Sequence, residues 1–262
     1  MSTSNSASST TDSGTVRHGV DFSGASSGGS GIRIASRVGA ADVVEVVRVD
    51  REGLRRAILQ GLGDGHSHVW LVDAPFGMPI PTLDACGVDH DWEASVRWLA
   101  SFTDPRDWRR SVRQRIRKEP KRIADRASAT PLAPMNLRVF KQTWTAMVEL
   151  LGPLVAEGVR IEPLAGPIAS SVTVAEGCPA SLLKRAGDSA RGYKGRESTH
   201  RVRREEILEF ARRRLGLGLE ESVARRCIED PGGDDLDAVL LTLDPLVTVP
   251  PAEALVEGWV YS

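Results

Sequence analysis

Long hydrophobic runs are missing from this chain: among its 262 residues no window approaches the ~20 consecutive apolar side chains needed to cross a bilayer. Its N-terminus lacks the basic-then-apolar pattern of a secretory leader. Cysteine is scarce, with three residues, Cys86, Cys178 and Cys227, odd in number and far apart. That spacing excludes a disulfide framework and a cysteine zinc site, and leads us to expect reduced thiols in a cytoplasmic protein. Net charge is also nearly absent, at -1, so a nucleic-acid surface would have to come from local clustering of cations. No internal repeat is present. What remains is ordinary globular composition, long enough for one large domain with an insertion.

Residues 1–16, rich in serine and threonine, cannot bury enough surface to offset their ordering entropy and are expected to form a disordered tail. From residue 17 to 262 we expect a single domain. Three short strands come first, one ending near Phe22, then "IRIASRV" and "DVVEVVRV". "DREGLRRAILQGLG" reads as a helix stopping at Gly61, so its "GLGDG" is a cap and turn, not a nucleotide loop. "HVWLVD" is a continuous apolar run, the mark of a strand buried on both faces. This order predicts an α/β fold with an RNase H-like core: a mixed five-stranded sheet flanked by helices. Residues of about 77–168 break the alternation and read as a basic helical insertion. The core resumes at "SVTVAEGCPASLLKR", a strand followed by a helix starting near Pro179, and "DDLDAVLLTL" is the last clear helix.

Acids stand at the ends of these elements. Asp21, Asp73 and Glu176 close apolar strands, and Asp234, Asp235 and Asp237 open the last helix. In open sheets, functional groups gather at the carboxyl ends of strands. Carboxylates drawn together repel unless a cation separates them, and hard oxygen donors suit Mg²⁺ or Mn²⁺. Two such ions about 3.5–4 Å apart can stabilise both oxygens exchanged at a phosphodiester. Within the last helix, Leu236, Val239, Leu240 and Leu243 define the buried stripe. Asp234 and Asp237 then share one flank and are the preferred ligands, with Asp235 in reserve. Each acid has a plainer reading as a turn former or helix cap. His66 and His68, without a third ligand, read as a surface pair.

The segments "GVDFSGA", "VDAPFG", "VAEGCPASLL", "YKG" and "DDLDAVLL", in this order, resemble the domain of unknown function 429 family of RNase H-like nucleases. The resemblance covers roughly residues 17–262, loosely in the basic middle. It implies an RNase H fold with acids clustered for a divalent metal. Asp21, Asp73, Glu176 and Asp237 match its acidic positions, and Asp234 the residue three before the last. Ribonuclease H also carries a glutamate on its first core helix, where the nearest equivalent here is Glu52.

Between Arg106 and Arg126 ten lysines or arginines face three acids. We expect Arg109, Arg110, Arg113, Arg117 and Lys121 to contact phosphates there, with Trp108 available for stacking. A second basic stretch offers Tyr193 and Lys194 to a phosphate. Together these features predict a metal-dependent nuclease acting on nucleic acid. An actin-like phosphotransferase and a non-catalytic nucleic-acid-binding module are the competing readings. The former needs a second glycine-rich phosphate turn, which the sequence does not offer.

Overall fold

The computed structural model describes residues 14–24, 31–39, 41–130, 132–245 and 249–262. The expected tail lies outside these residues up to Ser13, and Val16 already opens the first strand. The sheet is mixed and seven-stranded: β1 (Val16–Asp21), β2 (Ile32–Val38), β3 (Val46–Val49), β4 (His68–Asp73), β5 (Arg160–Glu162), β6 (Val172–Gly177) and β7 (Val260–Tyr261). Its order is β3-β2-β1-β4-β6-β5, with β7 also on β6. β1, β2 and β3 pair antiparallel, whereas β4, β5, β6 and β7 join by parallel pairing.

The count corrects the expected five. β5 and β7 have three and two residues, too short for apolar alternation to show. β5 also puts a strand inside the span expected to be helical throughout. The third strand is shorter than expected, and Val43 makes only an isolated bridge to Leu219.

Helices cover both faces. α1 (Arg51–Gln60) is capped by Asp50, whose carboxylate accepts from Gly53 N at 2.7 Å. The insertion supplies α2 (Ile80–Cys86), α3 (Trp92–Ala100), α4 (Pro105–Arg115), α5 (Ile123–Ala127), α6 (Phe140–Thr145) and α7 (Gly152–Ala156). A π-helical turn, Ala146–Leu151, joins α6 to α7. Pro153 follows it and has no N–H for the carbonyl one turn back, which favours this local widening. After β6 come α8 (Pro179–Ala186), α9 (Ser198–Leu215), α10 (Glu221–Glu229), α11 (Asp234–Leu240) and α12 (Ala254–Glu257).

One core unites Val20, Ile34, Trp70, Val72 and Val174 of the sheet with Leu54 and Ile58 of α1 and the insertion's Trp92, Trp108 and Met147. A second packs Leu183, Ile207, Val223, Leu236 and Leu240 against Ala35 and Val46. Each fully buried aliphatic side chain contributes about 1.5–3 kcal/mol. The three cysteines are free. Among the described residues no helix is long and apolar enough to cross a membrane.

The expected surface histidine pair is corrected. His66 is exposed, but His68 is buried at the start of β4. Its Nδ1 lies 3.0 Å from His18 Nε2 and its Nε2 2.9 Å from Asp64 Oδ2, while His18 Nδ1 reaches Ser36 Oγ at 2.7 Å. Burial, then the neighbouring His68, lowers the His18 pKa to about 3.

Candidate metal centre

Asp21 and Asp73 are the last residues of β1 and β4, and parallel pairing sets them side by side in register. The third acid arrives from the other end of the chain. α11 lies across β1 and β2, and it can do so because residue 19 is glycine. A Cβ there would stand 2.0 Å from the Ala238 carbonyl oxygen. This close approach lowers Asp237 onto the strand ends. One carboxylate oxygen from each of Asp21, Asp73 and Asp237 then lies within 4.8 Å of the others.

Asp237 is buried and doubly held. The Tyr193 hydroxyl donates to Oδ1 at 2.8 Å, and the half-exposed Lys194 ammonium sits 2.7 Å from Oδ2. Burial, reinforced by the charges of Asp237, Asp234 and Asp73, pushes the Asp21 carboxyl up to about 8. Burial and then Asp237 push Asp73 up to about 7, against the opposing pull of Lys194. Asp237 is raised too, by burial, with Lys194 and Tyr193 opposing. Three hard oxygen donors that resist ionising together, with one lysine among them, form a donor set suited to Mg²⁺ or Mn²⁺.

The remaining acids have other partners. Asp234 stands outside the trio, next to Asp21 in an adjoining hollow. Asp235 is buried between Arg33 and Arg226, at 2.9 and 3.1 Å. Glu176, expected to be catalytic, is occupied by a buried ion pair instead. Arg122 reaches its two oxygens at 2.6 and 2.7 Å, and Phe76 N adds a bond at 2.9 Å. Asp125 completes this network on Arg122. Glu52 is exposed, near Arg55.

Two hollows meet at the trio. The larger, about 500 Å³, includes Asp73 and Asp237, and the smaller, about 380 Å³, includes Asp21 and Asp234. Arg138 and Gln142 line both. Gln142 Nε2 donates to the carbonyls of Phe22 and Asp73 at 2.8 and 2.6 Å, tying the insertion to the two strand ends. Gly24 permits this contact, since a Cβ there would meet the Gln142 backbone at 2.4 Å. Neither Gln142 nor Arg138 stood out in the sequence, where one amide and one arginine carry no pattern.

The basic run is used differently from the expectation. Arg109 donates to Met135 O and pairs with Glu119 at 2.7 Å, and Arg113 bonds the Arg117 carbonyl. Arg110 is exposed and pairs with Asp107, and Arg117 is exposed. Lys121 donates to Thr130 O at 2.7 Å. Trp108 is wholly buried, edge-on to Trp98, and cannot stack on a base. None of these side chains lines the two hollows. Tyr193 and Lys194, expected to touch phosphate, hold Asp237 and also line the larger hollow.

No family model, no curated protein and no solved structure matches this chain.

Proposed function

We propose that the protein is a divalent-metal-dependent phosphodiesterase of RNase H-like fold that acts on nucleic acid, akin to the domain of unknown function 429 family. The observation that carries the reading is the convergence of Asp21, Asp73 and Asp237, from two adjacent parallel strands and a late helix, within 4.8 Å. The strand order, with three antiparallel strands followed by parallel additions, agrees with such a fold. Asp21, Asp73 and Asp237 would hold the cation. When bound, it supplies Lewis-acid polarisation of a phosphate and lowers the pKa of water. The chain's own groups prepare the site. Tyr193 and Lys194 orient Asp237, Gln142 holds the strand ends together, and Lys194 and Arg138 add positive charge for an anionic substrate.

Asp21→Asn and Asp73→Asn test this reading. Each should lower Mn²⁺-dependent cleavage of a phosphodiester about a hundredfold or more while the protein stays folded by circular dichroism. Full activity in either variant removes that residue from the mechanism.

One observation favours the non-catalytic alternative: the Lys194 ammonium already supplies the trio with a cation at 2.7 Å. Lys194→Met separates the two. A metal site should bind Mn²⁺ severalfold more tightly once the competing ammonium is gone, by isothermal titration. Absence of Mn²⁺ binding in both proteins would leave the acids as a fixed ion-pair cluster.

A further inference from the structure

The acidic trio does not sit at the bottom of one pocket but on the boundary between two. Asp73 and Asp237 face the larger hollow and Asp21 the smaller, although their oxygens are within 4.8 Å of one another. A phosphate brought to the three acids therefore has a separate space on either side for the groups it joins. The two spaces differ in chemistry. The larger, of about 500 Å³, offers the apolar side chains of Pro75, Leu132, Val139 and Pro179 beside the charged Arg122, Glu176 and Lys194. That volume is typical of small-molecule sites, and apolar side chains suit the face of an aromatic ring. The smaller is polar, with Lys141, Arg138, Asp234 and the backbone of Gly24 and Gly31 around about 380 Å³. It suits a sugar and its next phosphate.

From this division we infer that the substrate is a nucleotide phosphodiester whose base, on one side of the cleaved bond, is unpaired and enters the apolar hollow. The inference rests on the phosphodiesterase reading and names its substrate class. Two observations oppose a stacked duplex. Asp237 is about 1% exposed, so it is reached only from within the cleft and not by a phosphate on a broad outer surface. The cations of the basic run do not border the cleft: Arg109 is paired with Glu119, and Arg110, Arg113 and Arg117, though exposed, line neither hollow. A base held in a helix must be unstacked and unpaired before it can enter such a slot, at a cost of a few kcal/mol, whereas a single strand avoids most of that cost. The reaction is hydrolysis. The water oxygen bonds to phosphorus, one phosphorus–oxygen ester bond breaks, and the departing oxygen gains a proton from solvent. The products are a phosphomonoester and an alcohol.

The test compares three probes with Mn²⁺: a dinucleoside monophosphate, a short labelled single-stranded oligonucleotide, and that oligonucleotide in a perfect duplex. Either unpaired probe should be cleaved with kcat/KM at least about tenfold above the duplex. A dinucleotide preference marks a small-diester enzyme and a strand preference a single-strand nuclease; both support the inference. Bis(p-nitrophenyl) phosphate serves as a substrate without a base. If it is hydrolysed while the duplex is cleaved as fast as the single strand, the inference falls and the phosphodiesterase reading stands. If no diester is cleaved, both fall. Ala180→Trp, which fills the apolar hollow, should lower single-strand kcat/KM about tenfold while Mn²⁺ binding by calorimetry persists. Unchanged kcat/KM in this variant would also overturn the inference.

Discussion

Gly19 on β1 and Ala238 on α11 are in such close contact that the glycine has room for a hydrogen where any other residue would put a carbon. A Cβ at position 19 would come within 2.0 Å of the Ala238 carbonyl oxygen and 2.7 Å of Leu241 Cβ. The helix that carries Asp237 is therefore positioned by an absence of side chain two residues before Asp21.

Gly19→Ala should force α11 away from the sheet. Overpacking of this kind costs about 1–3 kcal/mol, read as a lower urea midpoint with unchanged slope. Mn²⁺ affinity should drop with it, because Asp237 moves away from the strand ends. A variant as stable as the parent would show that the sheet–helix distance is not set at this position.

The pH dependence of stability has a defined sign above about pH 6.5, where the unfolded chain's His18 is at most half protonated and the two raised aspartates outweigh it. Asp21 and Asp73, raised to about 8 and about 7, hold protons in the folded state that the unfolded chain has already released. The folded state thus binds more protons, and metal-free stability falls as pH rises from about 6.5 to about 8. Thermal midpoints of the metal-stripped protein should decline through this window, and the decline should shrink in Asp21→Asn. Mn²⁺ should restore more stability at the upper end, since it takes over the protons' role at ionised carboxylates. A flat profile shared by parent and variant would contradict the mutual repulsion of these acids.

Arg122 should be among the costliest residues to lose. It is buried with Glu176 and Asp125, and Arg122→Met leaves two carboxylates inside without their counter-charge. Breaking one side of such a pair costs about 3–5 kcal/mol, measurable by chemical denaturation. Glu176→Gln should lower stability but keep Mn²⁺ affinity, since Glu176, though in the same hollow as Asp73 and Asp237, is held by Arg122 and is not one of the three clustered acids. Loss of Mn²⁺ binding in Glu176→Gln would return this residue to the metal site.

Sequence alone determined the elements whose signal is local. "IRIASRV" alternates and "HVWLVD" is apolar throughout, and both strands occupy the expected residues, Ile32–Val38 and His68–Asp73. Asp21 and Asp73 could be placed at strand ends for the same reason, because each apolar run stops at its acid. Three-residue spacing grouped Asp234 and Asp237 on one flank of α11, since helical periodicity assigns flanks without any knowledge of neighbours, but of the two only Asp237 joins Asp21 and Asp73. Tertiary structure decided what each charged group meets. Glu176 ends its strand much as Asp73 does, yet it pairs with an arginine 54 positions away in sequence. The basic run gave no sign that Arg122 would turn inward while Arg110 and Arg117 remained at the surface. β5 and β7 escaped notice because strands of two or three residues exist only through the neighbour they pair with. Periodicity reports which side of an element is apolar, but the partner of a buried charge depends on how distant segments close against one another.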